Sequence, residues 1–237
     1  MVEETTFSGF PPAGIQFLAD LADNNDRAWF GSHKAVYEGQ LLPAAKAFVA
    51  TLGEQLAALV PGIQYDTRTN GSGSLMRIYR DTRFSADKSP YRTSLGVTFW
   101  MAGRKKMEGA GIFVRIAPAG AELYSGEYQF SPAALADYRA AVADEKQGAA
   151  LVTALAAVRA AGISEIGGEH YKRVPRGYDP AHDRADLLRY NGLYAVSPLI
   201  PPELLVQPAL VTVCFDYCRR MAPLMNWLLA LPGRGAA

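Results

Sequence analysis

Ile15, Phe17, Leu18 and Leu21 follow Pro11-Pro12 at helical spacing, so the chain opens with a short amphipathic helix over about 11–22. Asn24-Asn25 interrupts it. An asparagine side chain accepts hydrogen bonds from the open amides of a first turn, so Asn25 is predicted to cap a second helix through Trp29, Phe30, Val36 and Tyr37. Pro43 suits a first-turn position, and Ala45, Phe48, Val49, Leu52, Leu56 and Leu59 form the stripe of a third, core-facing helix that stops at Pro61-Gly62.

Past the flexible turn at 69–74 the apolar period falls to two. Leu75 to Arg80 reads as a strand, and Leu95, Val97, Phe99 and Met101 alternate with smaller or polar neighbours as a second. Ile112, Val114 and Ile116 make a third, and Glu122 to Gly126 a fourth. Strands in succession with short links and no helix between them imply an antiparallel meander, which excludes a parallel nucleotide-binding sheet. Ser131-Pro132 opens another helix through Leu135, Tyr138 and Val142, and a further one covers about 147–160. The stretch 171–183 holds too many turn formers to be regular, and Asp183 is expected to cap a short helix through Leu187, Leu188 and Arg189. Residues 192–198 supply a last strand, and 207–231 a long apolar helix bent at Pro223. The expectation is one α+β domain: helices over about 11–60, an antiparallel meander sheet of about four to five strands over about 74–127, and a helical part over about 131–231.

With 237 residues, 49% hydrophobic and 20% charged, the composition is that of a globular protein and excludes disordered and membrane classes. The acidic start of the chain has no basic-then-apolar leader, and Asp216, Arg219 and Arg220 interrupt the most apolar stretch, so no membrane association is expected. Cys214 and Cys218 lie four apart on one helix, where a disulfide is awkward; reduced thiols and a cytoplasmic address follow as expectations. His33, His170 and His182 show no metal-ligand spacing, and the glycines at 69–74 lack the Lys-Ser/Thr of a phosphate loop, so neither metal nor cofactor is expected. No nucleophile elbow is present.

Charge changes the picture. The whole chain carries +1, yet Arg77, Arg80, Arg83, Lys88 and Arg92 against Asp81 and Asp87 give 77–92 a net +3, which leaves −2 for the remainder. A near-neutral protein is not a nucleic-acid coat protein, but a local basic site survives that objection.

The set Asn24-Asn25 with Trp29-Phe30, the run from Arg77 to Arg92, and 172–179 with Leu187-Leu188-Arg189-Tyr190, resembles the domain of unknown function 2461 family, in order over about 7–200. The resemblance implies no activity, since the family's name records that none was assigned. The family pattern commonly has Lys where Arg92 and Asn191 stand; the first difference keeps the charge and the second removes a cation.

Guanidinium forks suit phosphate and carboxylate oxygens, so the candidate ligand-binding residues are Arg77, Arg80, Arg83, Lys88, Tyr91 and Arg92, then Lys172, Arg173, Arg176, Tyr178 and Arg189, with Trp29, Phe84, Tyr91 and Tyr178 as aromatic walls. His182, Asp179 and Asp81 are the candidate acid–base groups. Asp81 and Asp87 either orient the arginines for a ligand or neutralise them as a structural ion network. The preferred reading is a cationic and aromatic pocket for a small phosphorylated or carboxylated ligand, which in its enzymatic form would use acid–base chemistry without a metal. The alternatives are a nucleic-acid module, with Trp29, Tyr79 or Tyr91 stacking on bases, and a scaffold for protein partners.

Overall fold

The computed structural model describes residues 6–232; the acidic start of the chain read above lies, up to residue 5, outside the described residues. Helix α1 (Pro12–Asp23) begins with proline at its first position and buries Phe17, Leu18 and Leu21. Helix α2 (Arg27–Val36) continues through a π-helical turn (Tyr37–Leu41) into α3 (Leu42–Leu59), whose buried stripe is Ala45, Phe48, Val49, Leu52 and Leu56. The cap of α2 differs from expectation. Asp26, not Asn25, accepts from Ala28 N at 2.8 Å and Trp29 N at 2.9 Å. Asn25 is drawn away by a long-range partner described below.

The sheet comprises β1 (Ile63–Gln64), β2 (Leu95–Met101), β3 (Gly111–Ala117), β4 (Gly120–Glu127), β5 (Glu165–Glu169) and β6 (Tyr190–Val196), in the hydrogen-bonded order β1-β2-β3-β4-β6-β5. It is antiparallel and the fold is α+β, with six strands where about four to five were expected. β3 keeps the predicted alternation with Ile112, Val114 and Ile116 inward, whereas β2 buries nearly every residue, as a strand covered on both faces does.

Two strands escaped the sequence reading. β1 is only two residues long, and β5 reads Glu-Ile-Gly-Gly-Glu, without the apolar alternation that signals a strand. The first of its two glycines has a packing reason: a Cβ at Gly167 would overlap the Tyr194 ring on the paired strand. Conversely, 75–80 is not a continuous strand. It forms two isolated antiparallel bridges, Leu75 to Val97 and Tyr79 to Tyr91, and the partner segment spends six residues where this one spends four.

Helices α4 (Pro132–Ala143) and α5 (Glu145–Ala160) start as the sequence indicates, Ser131 Oγ accepting from Ala134 N at 3.2 Å and Asp144 Oδ1 from Gln147 N at 2.8 Å. A 3-10 turn (Ala185–Arg189) replaces the short helix expected there, with Arg184 rather than Asp183 at its cap position. Helix α6 (Ala209–Leu229) contains Pro223.

The backbone packs as two compact units. Among the described residues, one comprises 6–99 with Phe113–Leu123 and Leu199–Asp216; the other comprises Trp100–Ile112, Tyr124–Pro198 and 217–232. In the first, Phe7 sits edge-on to Phe10 and Phe48 at 5.2 and 5.3 Å between ring centres. In the second, the buried Tyr138 lies 4.7 Å from Phe130 and 6.1 Å from Trp227, and its hydroxyl donates to Leu187 O at 2.8 Å. Among the described residues, no helix is long and apolar enough to cross a membrane.

Candidate functional site

The charged run of the first unit is a hairpin. Arg80 N donates to Pro90 O at 2.9 Å and Arg92 N to Ile78 O at 2.7 Å, so Tyr79 and Tyr91 face each other and the loop 81–89 closes the end. Directly opposite residues of an antiparallel pair share a face. Tyr79 and Tyr91 therefore stand on one face, and Ile78, Arg80, Pro90 and Arg92 on the other, with Arg80 and Arg92 as diagonal neighbours about 7–8 Å apart at Cα.

What holds the hairpin is the N-terminal motif. The Asn25 side chain donates through Nδ2 to Tyr91 O and accepts at Oδ1 from Tyr91 N, both at 3.0 Å, so the amide reproduces the double hydrogen bond of a strand neighbour. Phe30 stacks on Tyr91 at 4.1 Å and 13°. Tyr91 is buried by this and Trp29 is half-buried, stacked on His33 at 4.0 Å, with His33 Nδ1 donating to Trp29 O at 2.8 Å. Of these two predicted ligand-binding aromatics, Tyr91 thus anchors the hairpin, while Trp29 packs among the helices on Phe17 and His33.

The cations of the loop are partly engaged. Arg80 pairs with Asp87; Arg83 reaches Asp81 through Nε at 3.0 Å and Nη2 at 2.6 Å; Lys88 Nζ donates to Thr82 O at 3.0 Å. The Arg83 side chain, then its backbone N–H, hold the Asp81 carboxyl down at about 2. Ser89, through hydroxyl and backbone, and then Arg80 hold Asp87 well below the usual carboxylate range. Both acids stay ionised at neutral pH, so Asp81 is bound to a cation and ill-placed to take a proton. Among the described residues, the remaining N–H groups of Arg80 and the guanidinium of Arg92 make no hydrogen bond. Arg77 lies over the Tyr79 ring, its carbon to the ring centre 5.9 Å.

The second charged stretch belongs to the other unit. Asp179 Oδ1 accepts from Ala181 N at 2.8 Å and His182 Nδ1 accepts from Arg184 N at 2.9 Å, so both candidate acid–base groups staple turns. Arg189 Nη2 bridges Glu169 at 2.7 Å and Asp186 at 3.2 Å. Tyr178 is half-buried, while Lys172, Arg173 and Arg176 are exposed. The residue the sequence reading passed over is Arg184. Its Nε donates to Val142 O at 2.8 Å and its Nη2 to Asp144 O at 3.2 Å, closing the C-terminal end of α4, and Gly148 leaves the space it occupies.

The second unit also has an open cavity of about 670 Å³ walled by Met101, Met107, Phe130 and the first turn of α4, with Arg104 and the buried Glu127 at its edge. No predicted site residue lines it. Cys214 and Cys218 are buried in α6 outside any disulfide, and burial pushes the Cys218 thiol up to about 12. Among the described residues, no cluster of histidine, cysteine and carboxylate side chains is arranged to hold a metal ion.

No curated protein and no solved structure matches the chain. Residues 13–227 match a family described as "Conserved hypothetical protein (DUF2461)". Two of the motifs that carried the resemblance, Asn24-Asn25 with Trp29-Phe30 and the run 77–92, meet in the structure, Asn25 and Phe30 at the start of α2 holding Tyr91 of the hairpin. With nearly the whole chain covered, the protein belongs to the DUF2461 family.

Proposed function

We propose that the 77–92 hairpin binds a small phosphorylated or carboxylated ligand, with Arg80 and Arg92 as its principal donors and Lys88 as an added point charge. The observation that carries this reading is the register at Tyr79 and Tyr91, which sets Arg80 and Arg92 side by side on one hairpin face. Asp87 then has a use beyond neutralisation, because one ion pair fixes the Arg80 guanidinium and leaves its other donors for an incoming oxyanion. The cytoplasmic address belongs to the same reading and is supported by the unbridged cysteines. Any acid–base role for His182 would run through Nε2, since Nδ1 is occupied.

The test is a titration with inorganic phosphate followed through the arginine side-chain signals by NMR. Saturable shifts at Arg80 and Arg92 on the order of millimolar phosphate are expected, weakened about tenfold in Arg80→Ala and in Arg92→Ala. A wild-type protein whose arginine signals ignore phosphate removes the proposal.

A further inference from the structure

Phe84, at the tip of the hairpin loop, is 95% exposed, and Tyr79 is 51% exposed. A phenylalanine left in water forgoes the burial that normally places this residue inside. Its ring is not loose decoration, because the Arg83 guanidinium lies over it at 5.7 Å and is itself fixed in orientation by the two-point contact with Asp81. Lys88 bonds to Thr82 O at 3.0 Å and so closes a short loop around Phe84; one residue, Arg83, separates Thr82 from Phe84, which puts the ammonium no more than about 10 Å from the Phe84 backbone.

We infer that the ligand of this hairpin carries a planar ring beside its phosphate, as a nucleotide does, with the ring stacked on Phe84 and the phosphate held by the neighbouring cations. The inference rests on the anion-binding reading and deepens it. Base stacking needs an exposed aromatic face near a cation, and Phe84 meets that requirement more fully than Tyr79, which lies near Arg77 but is half as exposed and packs against Phe30 and Tyr91. Tyr91 is covered by Phe30, and Trp29 by His33. Two ionised acids, Asp81 and Asp87, flank the ring in sequence, which favours a ligand with few phosphates over a long polyanion.

Calorimetric titrations of the whole protein with ribose 5-phosphate, adenosine monophosphate and a short single-stranded oligoadenylate test it. Adenosine monophosphate is expected to bind about tenfold more tightly than ribose 5-phosphate, and Phe84→Ala to erase that difference while leaving ribose 5-phosphate binding as it was. An oligoadenylate gaining further affinity with a steep salt dependence identifies a strand end as the source; one that binds no better than the mononucleotide identifies the free nucleotide. Equal affinity for ribose 5-phosphate and adenosine monophosphate, or an equal loss of both in Phe84→Ala, overturns the ring and leaves the anion site standing. If neither compound binds, or if Arg80→Ala and Arg92→Ala leave both affinities intact, the anion reading fails and the inference goes with it.

Discussion

The stretches 77–92 and 172–190 hold similar stocks of arginine, lysine, aspartate and tyrosine, and they use them differently. In 77–92 the backbone is ordered from outside, by Asn25 clamped on Tyr91 and Phe30 stacked against it, so the charged side chains are spectators of folding that pair only with near neighbours in sequence. In 172–190 the polar side chains are themselves the scaffold: Asp179 and His182 make the turns, and Arg184 fastens the segment to α4. Charge content alone does not separate a surface available for ligands from a loop held together by its own polar groups; what each group bonds to does.

The largest test of this contrast is Gly148→Ala. The new Cβ would overlap the Arg184 guanidinium and Val142 O, and a loss of about 2–3 kcal/mol in urea unfolding is expected, with faster amide exchange through 182–189. A silent substitution would mean that Arg184 is not fastened there. Asn25→Ala removes two backbone contacts of the hairpin and should cost about 2 kcal/mol, with the Tyr91 amide losing exchange protection while that of Tyr138 in the other unit keeps its own. Uniform loss of protection would dissolve the distinction between external anchoring and self-scaffolding.

Exposed pairs come last. Arg83→Ala is expected to lower the unfolding midpoint only slightly, because the Asp81–Arg83 pair sits in solvent where screening keeps its contribution small, and to let the Asp81 carboxyl rise from about 2 toward its ordinary value in a carbon-13 titration. The sign follows from linkage: a depressed carboxyl contributes stability that is complete above its unfolded value and lost as the pH falls toward 2. An Asp81 that titrates normally in the wild type would show the pair is not formed in solution.

Most of the helices were legible in the sequence because their signals are local. Pro12, Ser131 and Pro132 mark starts within one turn, and the stripe Ala45 to Leu56 repeats at the pitch of a helix. The strands β2 and β3 were legible for the same reason. Asn25 was misread because its local alternative, capping, is what an isolated asparagine before a helix would do, and its actual partner lies 66 residues away. β5 was invisible because Gly167 makes room for the Tyr194 ring and Gly168 for the backbone at Gly192, neighbours supplied by another strand.

The candidate site divides along the same line. That Arg80, Arg83, Lys88 and Arg92 fall in one short run is a property of the sequence, and no folding was needed to know it. Tertiary structure decided which of them stand on a common face, which aromatics are covered, and that His182 and Asp179 are spent on turns. Charge and periodicity are written along the chain one residue at a time, whereas burial and hydrogen-bond partners depend on which distant segments compete for the same group, and only the folded chain resolves that competition.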